Sequence, residues 1–437
     1  MPDTRVLTPA DALPILRERG FVQDCTDEAA LGEALAAGPV TYYVGFDPTA
    51  PSLHAGNLLG LMAMAWLQRC GHRPIAIAGG GTGRIGDPSG RDTERQLLDE
   101  ATLAANLAGI RRQLAAFLDL DDEVGGPRGF LVDNHDWLKD LDLLGFLRDV
   151  GVHVPVTAML GRESVRRRIE GREQGLTFTE FCYQLLQAYD FAHLHATHGC
   201  ALQLGGSDQW GNITAGIDLG RRLHGAQLHG LVWPLLTTSD GAKFGKSAGN
   251  AVWLDPALTS PYAYYQYWLN AADADVERFL KLFTFLPLDE VAAAVAAHAA
   301  DPAARHAQRV LAREATRIVH GDDGVTTAER ATAVLFGDEP YADLGDDVLA
   351  EAFGEAPTVE VPRARLDEGL GLLEALTLAG ASASNGEARR LVQQGAVRLN
   401  NAPVADPARV LGPGDLAGAT TLVLAAGKRR RFLVRFV

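Results

Sequence analysis

Val40-Thr41-Tyr42-Tyr43-Val44-Gly45-Phe46 is a run of β-branched and aromatic residues, and Asp47-Pro48-Thr49-Ala50-Pro51 interrupts it with two prolines. The first stretch predicts a strand and the second a loop. Leu58 to Cys70 then reads as an apolar helix that stops at Gly71. Ile75-Ala76-Ile77-Ala78 follows as a short buried strand, and a glycine-rich loop from Gly79 to Gly90 leaves its C-terminal end. Gly129-Phe130-Leu131-Val132 and Ala201-Leu202-Gln203-Leu204 continue the alternation. Strands separated by helices predict an α/β doubly wound parallel sheet, with ligands beyond the carboxyl ends of the strands.

The character changes after Asp255. From Pro261 the chain is rich in Ala and Leu and reads as a helical region that includes Val291 to Arg313. Residues 355–365 carry Pro357 and Pro362 and read as a linker. Beyond it, Leu370 to Leu378 and Ala388 to Val392 read as helices and Ala396 to Asn401 as a strand. Thr420 to Leu424 and Arg431 to Phe436 form a hairpin around Gly427-Lys428-Arg429-Arg430. The expected organisation is a catalytic domain over 1–255, an α-helical domain over 256–354, a linker over 355–365 and a small α+β domain over 366–437.

The 437 residues are 47% hydrophobic and 22% charged, as in ordinary soluble globular chains. No apolar run approaches the length of a membrane span, and no signal-peptide core follows Met1. Cys25, Cys70, Cys182 and Cys200 lack C-x-x-C spacing, which suits reduced thiols in the cytoplasm better than a disulfide framework or a zinc site. The net charge of −15 argues against a nucleic-acid partner until its distribution is read. From Val361 onward 11 Lys and Arg face 6 Asp and Glu, whereas the remainder carries a net −20. A basic tail on an acidic body suggests polyanion binding confined to one end.

Five stretches could carry chemistry. Asp47-Pro48-Thr49 through His54-Ala55-Gly56-Asn57 opens a helix, and is either a capping loop or an anion site that uses the free N–H groups of the first turn. In Gly79 to Gly90, Asp87 is either a turn former or the partner of a cationic ligand group. Tyr183, Gln187 and Asp190 fall at i, i+4 and i+7, hence on one helical face among apolar neighbours. That face is either an amphipathic surface or a polar stripe that binds something. Gly205-Gly206-Ser207-Asp208-Gln209 ends a strand with an acid placed to accept ribose hydroxyls. Lys243-Phe244-Gly245-Lys246-Ser247 puts two ammonium groups on a glycine-flanked loop, and taken alone is an ordinary solvated turn.

Together these motifs are decisive. In the order Tyr43-Val44-Gly45-Phe46-Asp47-Pro48-Thr49, His54-Ala55-Gly56-Asn57, Gly86-Asp87-Pro88-Ser89-Gly90, Thr179-Glu180-Phe181, Gln187-Ala188-Tyr189-Asp190, Gly205 to Thr214 and Lys243 to Ser247, the chain closely resembles bacterial tyrosyl-tRNA synthetases. His54 to Asn57 matches that family's HxGH signature, and Lys243 to Ser247 its KMSKS variant. The resemblance runs from about Leu13 to Val437. It implies a Rossmann-like class I catalytic domain, and a tail similar to the RNA-binding fold of a small-subunit ribosomal protein.

The resemblance also implies roles. Tyr43 and Asp190 would bind the phenol hydroxyl of L-tyrosine, and Asp87, Tyr183 and Gln187 its ammonium group. Gln209 would lie by the carboxylate, and Asn134 would line the pocket, with Trp137 a further candidate. Gly45, Asp47, Asn57, Gly206 and Asp208 would surround the adenosine of ATP. Thr49, His54, Lys243 and Lys246, assisted by Arg95, would meet the phosphates, with Mg²⁺ carried by them and no protein-bound metal. Arg389, Arg390, Lys428, Arg429, Arg430 and Arg431 would grip tRNA(Tyr) phosphates. A homodimer follows from the family alone. Three positions depart from its pattern: Asn57 replaces the second histidine, Val44 a cysteine, and Arg91 a lysine. The implied reaction is attack of the tyrosine carboxylate on the α-phosphate, then transfer of tyrosine to the terminal adenosine of the tRNA. The carboxylate is already ionised at neutral pH, so no general base is required. A buried Tyr43–Asp190 pair left unmatched by phenylalanine would set specificity, and this family is itself the standing example of that rule. The alternative is a non-catalytic RNA-binding protein on a synthetase scaffold. Decay among Lys243, Lys246, Asp87 or Asp190 would mark it, and those residues are intact.

Overall fold

The computed structural model describes residues 6–437 except 90–97, 172–175, 240, 242–243, 248–249, 337–339, 342–343, 354–355 and 428–429. The chain divides into two compact units, residues 1–255 with 268–319 and residues 256–267 with 320–437.

The first unit runs α1 (Ala12–Arg19), β1 (Asp24–Cys25), α2 (Glu28–Ala37), β2 (Thr41–Phe46), α3 (Ala55–Arg69), β3 (Arg73–Ala78), α4 (Glu100–Phe117) and β4 (Phe130–Asp133). It continues with α5 (His135–Leu138), α6 (Leu143–Asp149), α7 (Val156–Leu160), α8 (Glu163–Glu170), α9 (Phe178–His198), β5 (Cys200–Gly206), α10 (Trp210–His224) and β6 (His229–Trp233). The six strands form one sheet in the order β1-β6-β5-β2-β3-β4, parallel except for β1. The chain steps outward from β2 through β3 to β4, and in the opposite direction from β5 to β6. The carboxyl ends of β2 and β5 therefore form the switch point where such sheets bind ligands. Their pairing stops at Tyr43 opposite Gln203, so the two ends are free to part beyond it. Gly45 is exposed within a strand whose other inner residues are buried.

The expected elements are present with shifted ends: β3 and β5 run longer than read, whereas β2 starts one residue later, at Thr41. α3 begins at Ala55 rather than Leu58 because His54 and Asn57 close its first turn: Asn57 Oδ1 accepts from His54 N at 3.0 Å, and His54 Nδ1 from Gly56 N at 3.0 Å. After the short pair β7 (Lys246–Ser247) and β8 (Asn250–Ala251) come α11 (Pro261–Leu269), α12 (Asp273–Phe283), α13 (Leu288–Ala300) and α14 (His306–Phe336). Within the helical region, Val291 to Arg313 falls on two helices. Pro302 lacks an N–H, and Arg305 takes φ 50°, so the chain turns between Ala300 and His306. Arg19, 4% exposed, reaches from α1 to donate to the carbonyls of Lys281 in the last turn of α12 and of Thr284 and Leu286 beyond it, and its guanidinium lies 3.9 Å from the Trp66 ring centre. A buried cation there satisfies helix-end carbonyls and joins residues 268–319 to the sheet unit.

Two boundaries differ from expectation. The helical region 256–354 is shared between the two units instead of standing alone. The segment read as a linker contains β9 (Thr358–Val361) and leads into α16 (Arg363–Asp367), after α15 (Asp346–Ala352). Pro357 and Pro362 flank β9 without entering it, which an edge strand tolerates. The remaining elements are β10 (Leu370–Gly371), α17 (Leu372–Leu378), α18 (Asn385–Gln393), β11 (Val397–Leu399), β12 (Ala402–Pro403), β13 (Val410–Leu411), β14 (Thr421–Ala426) and β15 (Arg430–Phe436). Five strands pair in the order β12-β11-β14-β15-β9, with β9 parallel to β15. One face of this sheet shares a core with α17 and α18. Val423 and Leu433, from β14 and β15, pack instead with Leu344, Val348 and Leu349.

Candidate active site

Asp190, 3% exposed, sits on α9. It accepts from Asn134 Nδ2 at 2.9 Å and from Trp137 Nε1 at 2.8 Å. Burial pushes its carboxyl up to about 7; those two bonds pull against burial, while Asp47 and Asp133 add to it. Tyr43 projects from β2 toward the same acid. Its hydroxyl is buried without a hydrogen-bond partner, its ring meets Phe191 edge-on at 5.3 Å, and burial and Asp190 both push its pKa up. An unpartnered hydroxyl beside a buried acid costs about 1–3 kcal/mol unless a ligand satisfies it.

Asn134 ties this corner to the glycine-rich loop. Its Oδ1 accepts from Gly81 N at 2.8 Å, and its Nδ2 also donates to Thr82 Oγ1 at 3.0 Å. Thr82 donates in turn to Asp47 Oδ1 at 2.8 Å, and the Tyr183 hydroxyl to Asp47 Oδ2 at 3.0 Å. The loop must carry glycine here: a Cβ on Gly79 or Gly80 would lie 2.3 Å from an oxygen of Asp47 or Asp133. Across the crevice, Gln209 Nε2 donates to Asp87 Oδ2 at 2.7 Å, and Asp87 Oδ1 accepts from Ser89 N at 2.8 Å. Gln187 is half-buried on the helical face of Tyr183 and Asp190, as its spacing predicts. Gly206 and Asp208 lie at the carboxyl end of β5.

The anion side is built on α3. Because Nδ1 of His54 accepts the Gly56 N–H, the neutral ring carries its proton on Nε2, which is then a donor. Thr49 is exposed in the loop ahead of α3. The Phe244-Gly245 stretch packs directly on this helix start. Gly245 has φ 85°, and a Cβ there would lie 2.7 Å from Gly56 N. Val252 N donates to Gly245 O at 3.0 Å, and Ala55 N to Val252 O at 2.8 Å. Phe244 is buried against Phe279, Phe283 and Trp268, with ring centres 5.0 Å from Phe283 and 5.1 Å from Phe279. Lys243, Arg95 and Arg91 lie outside the described residues, and of Lys246 only the backbone strand is described. In the second unit, Arg389 and Arg390 are exposed on α18, Arg430 is exposed and Arg431 half-buried at the start of β15, while Lys428 and Arg429 lie outside the described residues.

Sequence reading missed Thr82, the hinge between Asn134 and Asp47, since one threonine in a glycine-rich loop carries no signal of its own. It placed Asp47 with the nucleotide and Tyr183 with the amino acid. The two are hydrogen-bonded to each other.

This site can be set beside known proteins. Residues 35–337 match the family model of class I tRNA synthetases of the W and Y group. Residues 349–434 match the tyrosine–tRNA ligase SYY-like C-terminal domain. The chain belongs to the tyrosine–tRNA ligase family. It is 51% identical over 421 residues to the tyrosine–tRNA ligase of Rhodopirellula baltica, covering 96% of this chain and 95% of that one. It is 48% identical over 423 residues to the tyrosine–tRNA ligase of Roseiflexus castenholzii, covering 97% and 98%. Its structure resembles that of a C-terminally truncated mitochondrial tyrosyl-tRNA synthetase from Aspergillus nidulans, with TM-score 0.67 and 34% identity over 74% of this chain and 94% of that one.

Two predictions follow the geometry of this tyrosine–tRNA ligase family member. The carboxyl of Asp190 titrates near 7 when folded against 3.8 when exposed, so between those values the folded state holds more protons and stability falls as pH rises. Asp190→Asn removes this fall, which is at most about 1.4 kcal/mol per pH unit. The variant's melting temperature, followed by calorimetry of ligand-free protein, gains on the wild type between pH 5 and pH 8; parallel curves refute the assignment. Gly245→Ala places a methyl group against the backbone of Gly56 in a left-handed conformation. It lowers kcat/KM for ATP by about tenfold or more, on the order of 1.4 kcal/mol, with tyrosine affinity unchanged in equilibrium binding.

Proposed function

We propose that this protein activates L-tyrosine with ATP, giving tyrosyl-adenylate and pyrophosphate, and then transfers tyrosine to the terminal adenosine of tRNA(Tyr). The single observation that carries the amino-acid assignment is the unpartnered Tyr43 hydroxyl beside Asp190, which is itself fixed by Asn134 and Trp137. A phenol donates its proton to the carboxylate and accepts from Tyr43. Phenylalanine leaves both groups buried and unmatched.

Asp87, Tyr183 and Gln187 hold the ammonium group and Gln209 lies by the carboxylate, so the Asp87–Gln209 bond is exchanged for bonds to substrate. Gly45, Asp47, Gly206 and Asp208 surround the adenosine at the strand ends, with Asn57 beside it. Thr49 and the Nε2–H of His54 meet the phosphates from α3, and Lys243 and Lys246, with Arg95, from the facing side. Mg²⁺ enters with ATP as part of the substrate. The chemistry then needs alignment and neutralisation of the leaving pyrophosphate rather than a nucleophilic side chain. The helical region 256–354 serves the anticodon side. Arg389, Arg390 and Lys428 to Arg431 grip tRNA phosphates. A non-catalytic RNA-binding role has no observation in its favour.

The protein works in the cytoplasm as a homodimer. Its four cysteines are free, and no helix among the described residues is long and apolar enough to cross a membrane. Leu143 and Leu144 on α6, Val152 in the turn after it and Val156 at the start of α7 are 70, 77, 72 and 58% exposed, a concentration of apolar surface that a second copy would cover.

Tyrosine-dependent ATP–pyrophosphate exchange tests the activation step; absence of exchange with tyrosine sinks it. Lys246→Ala slows exchange by about 100-fold and leaves tyrosine affinity within about twofold, whereas equal loss of both removes the phosphate role. Sedimentation velocity gives a dimer for the wild type and a monomer for Leu144→Glu. A monomeric wild type at micromolar concentration, or an unchanged variant, rejects this interface.

A further inference from the structure

His193 follows Asp190 by three residues on α9, on the same side of the helix. Its ring lies on that of Trp137, with centres 4.6 Å apart and planes 19° from parallel. Tyr189 leans on the same imidazole at 6.1 Å, and Phe146 meets Tyr189 edge-on at 6.3 Å. Trp137 needs such support. It stands on the four-residue α5, only partly buried, yet its indole N–H makes one of the two bonds that hold Asp190. A 2.8 Å bond from an indole is strongly directional, so rotation of the ring breaks it.

We propose that His193 is a positioning residue for tyrosine recognition: its stack on Trp137 keeps the indole N–H on Asp190, and through Asp190 it sets the affinity for the phenol hydroxyl. Burial and the neighbouring His198 push the imidazole pKa down, so the ring on the indole is neutral at neutral pH. The stack therefore depends on a flat aromatic face and not on charge, and phenylalanine can replace it. Leucine and alanine cannot, whatever volume they fill. When the stack is lost Trp137 swings away, and Asp190 keeps Asn134 as its partner but loses the fixed direction in which it offers an oxygen to the substrate. The ATP side, built on α3 and Phe244-Gly245, has no contact with His193 among these interactions, so the effect is confined to tyrosine.

The inference rests on Asp190 as the phenol acceptor, and one set of variants separates the two claims. Tyrosine-dependent pyrophosphate exchange is measured for the wild type, His193→Ala, His193→Leu, His193→Phe, Trp137→Phe and the double variant Trp137→Phe/His193→Ala. The expected result is a KM for tyrosine raised about two- to tenfold in His193→Ala and His193→Leu. Their kcat and KM for ATP stay within about twofold, and their preference for tyrosine over phenylalanine narrows. His193→Phe restores the wild-type KM. In the Trp137→Phe background, where the N–H is already gone, His193→Ala adds less than about twofold, the non-additivity of a shared path. His193→Leu keeps the volume and so remains readable if the alanine variant does not fold. A wild-type KM for tyrosine in His193→Leu, or an undiminished effect in the Trp137→Phe background, overturns the proposal while leaving the activity intact. Absence of tyrosine-dependent exchange in the wild type overturns the underlying reading instead.

Discussion

A carboxylate buried on α9 is the constraint around which the sheet unit is arranged. An acid at that depth is costly unless donors meet it, and the two donors of Asp190 come from the end of β4 and from the short helix after it. Asn134 cannot serve Asp190 alone: its other bonds fix Gly81 and Thr82, and Thr82 fixes Asp47 at the end of β2. One acid thus sets the relative positions of β2, the glycine-rich loop, β4 and α9. These are the elements around the switch point of the sheet. The cost of burying Asp190 and leaving the Tyr43 hydroxyl without a partner is borne by the fold itself, and under the proposed function the substrate hydroxyl would offset it.

Much of this was legible in the sequence because it is periodic or local. The β-branched run at Thr41 to Phe46 is a strand, and the i, i+4, i+7 spacing of Tyr183, Gln187 and Asp190 does place them on one face of α9. The misses are long-range. Nothing near Thr82 in sequence says that Asn134, 52 residues away, will bond to it. Trp137 and His193 meet only because α5 and α9 fold onto one another. The linker reading failed for a related reason: prolines at 357 and 362 signal a break locally, but β9 gains its pairing from β15, seventy-odd residues further on. Sharing of the helical region between two units is likewise invisible locally, since Arg19 and Trp66 that secure α12 come from the far N-terminal side.

The departure at Asn57 acquires a physical meaning that motif comparison could not supply. Asn57 Oδ1 accepts the N–H of His54, so the side chain is the N3 half of a capping box. Its carbonyl oxygen is committed to the helix start, which leaves only its Nδ2 as a donor to a ligand. The same box holds His54, whose Nδ1 is committed to Gly56, in the tautomer that presents Nε2–H. The asparagine therefore keeps one amide donor and fixes the backbone of His54 at the helix start.

The two halves of the crevice are held by opposite means. The amino-acid side is fixed by a polar network in which each bond restricts the next, and its geometry survives only if every donor stays in place. The facing loop of the nucleotide side is held by shape, with Phe244 inserted among Phe279, Phe283 and Trp268 and Gly245 seated on Gly56 without intervening side-chain atoms. Apolar contacts of this kind are weakly directional, and backbone bonds from Phe244 N to Leu236 O at 3.3 Å and from Val252 N to Gly245 O at 3.0 Å fix the stretch beside them. Discrimination between tyrosine and phenylalanine demands a rigid pocket. Under the proposed reaction the polar network serves selection of the hydroxyl, and the apolar seat of Phe244 sets where the facing loop lies against α3.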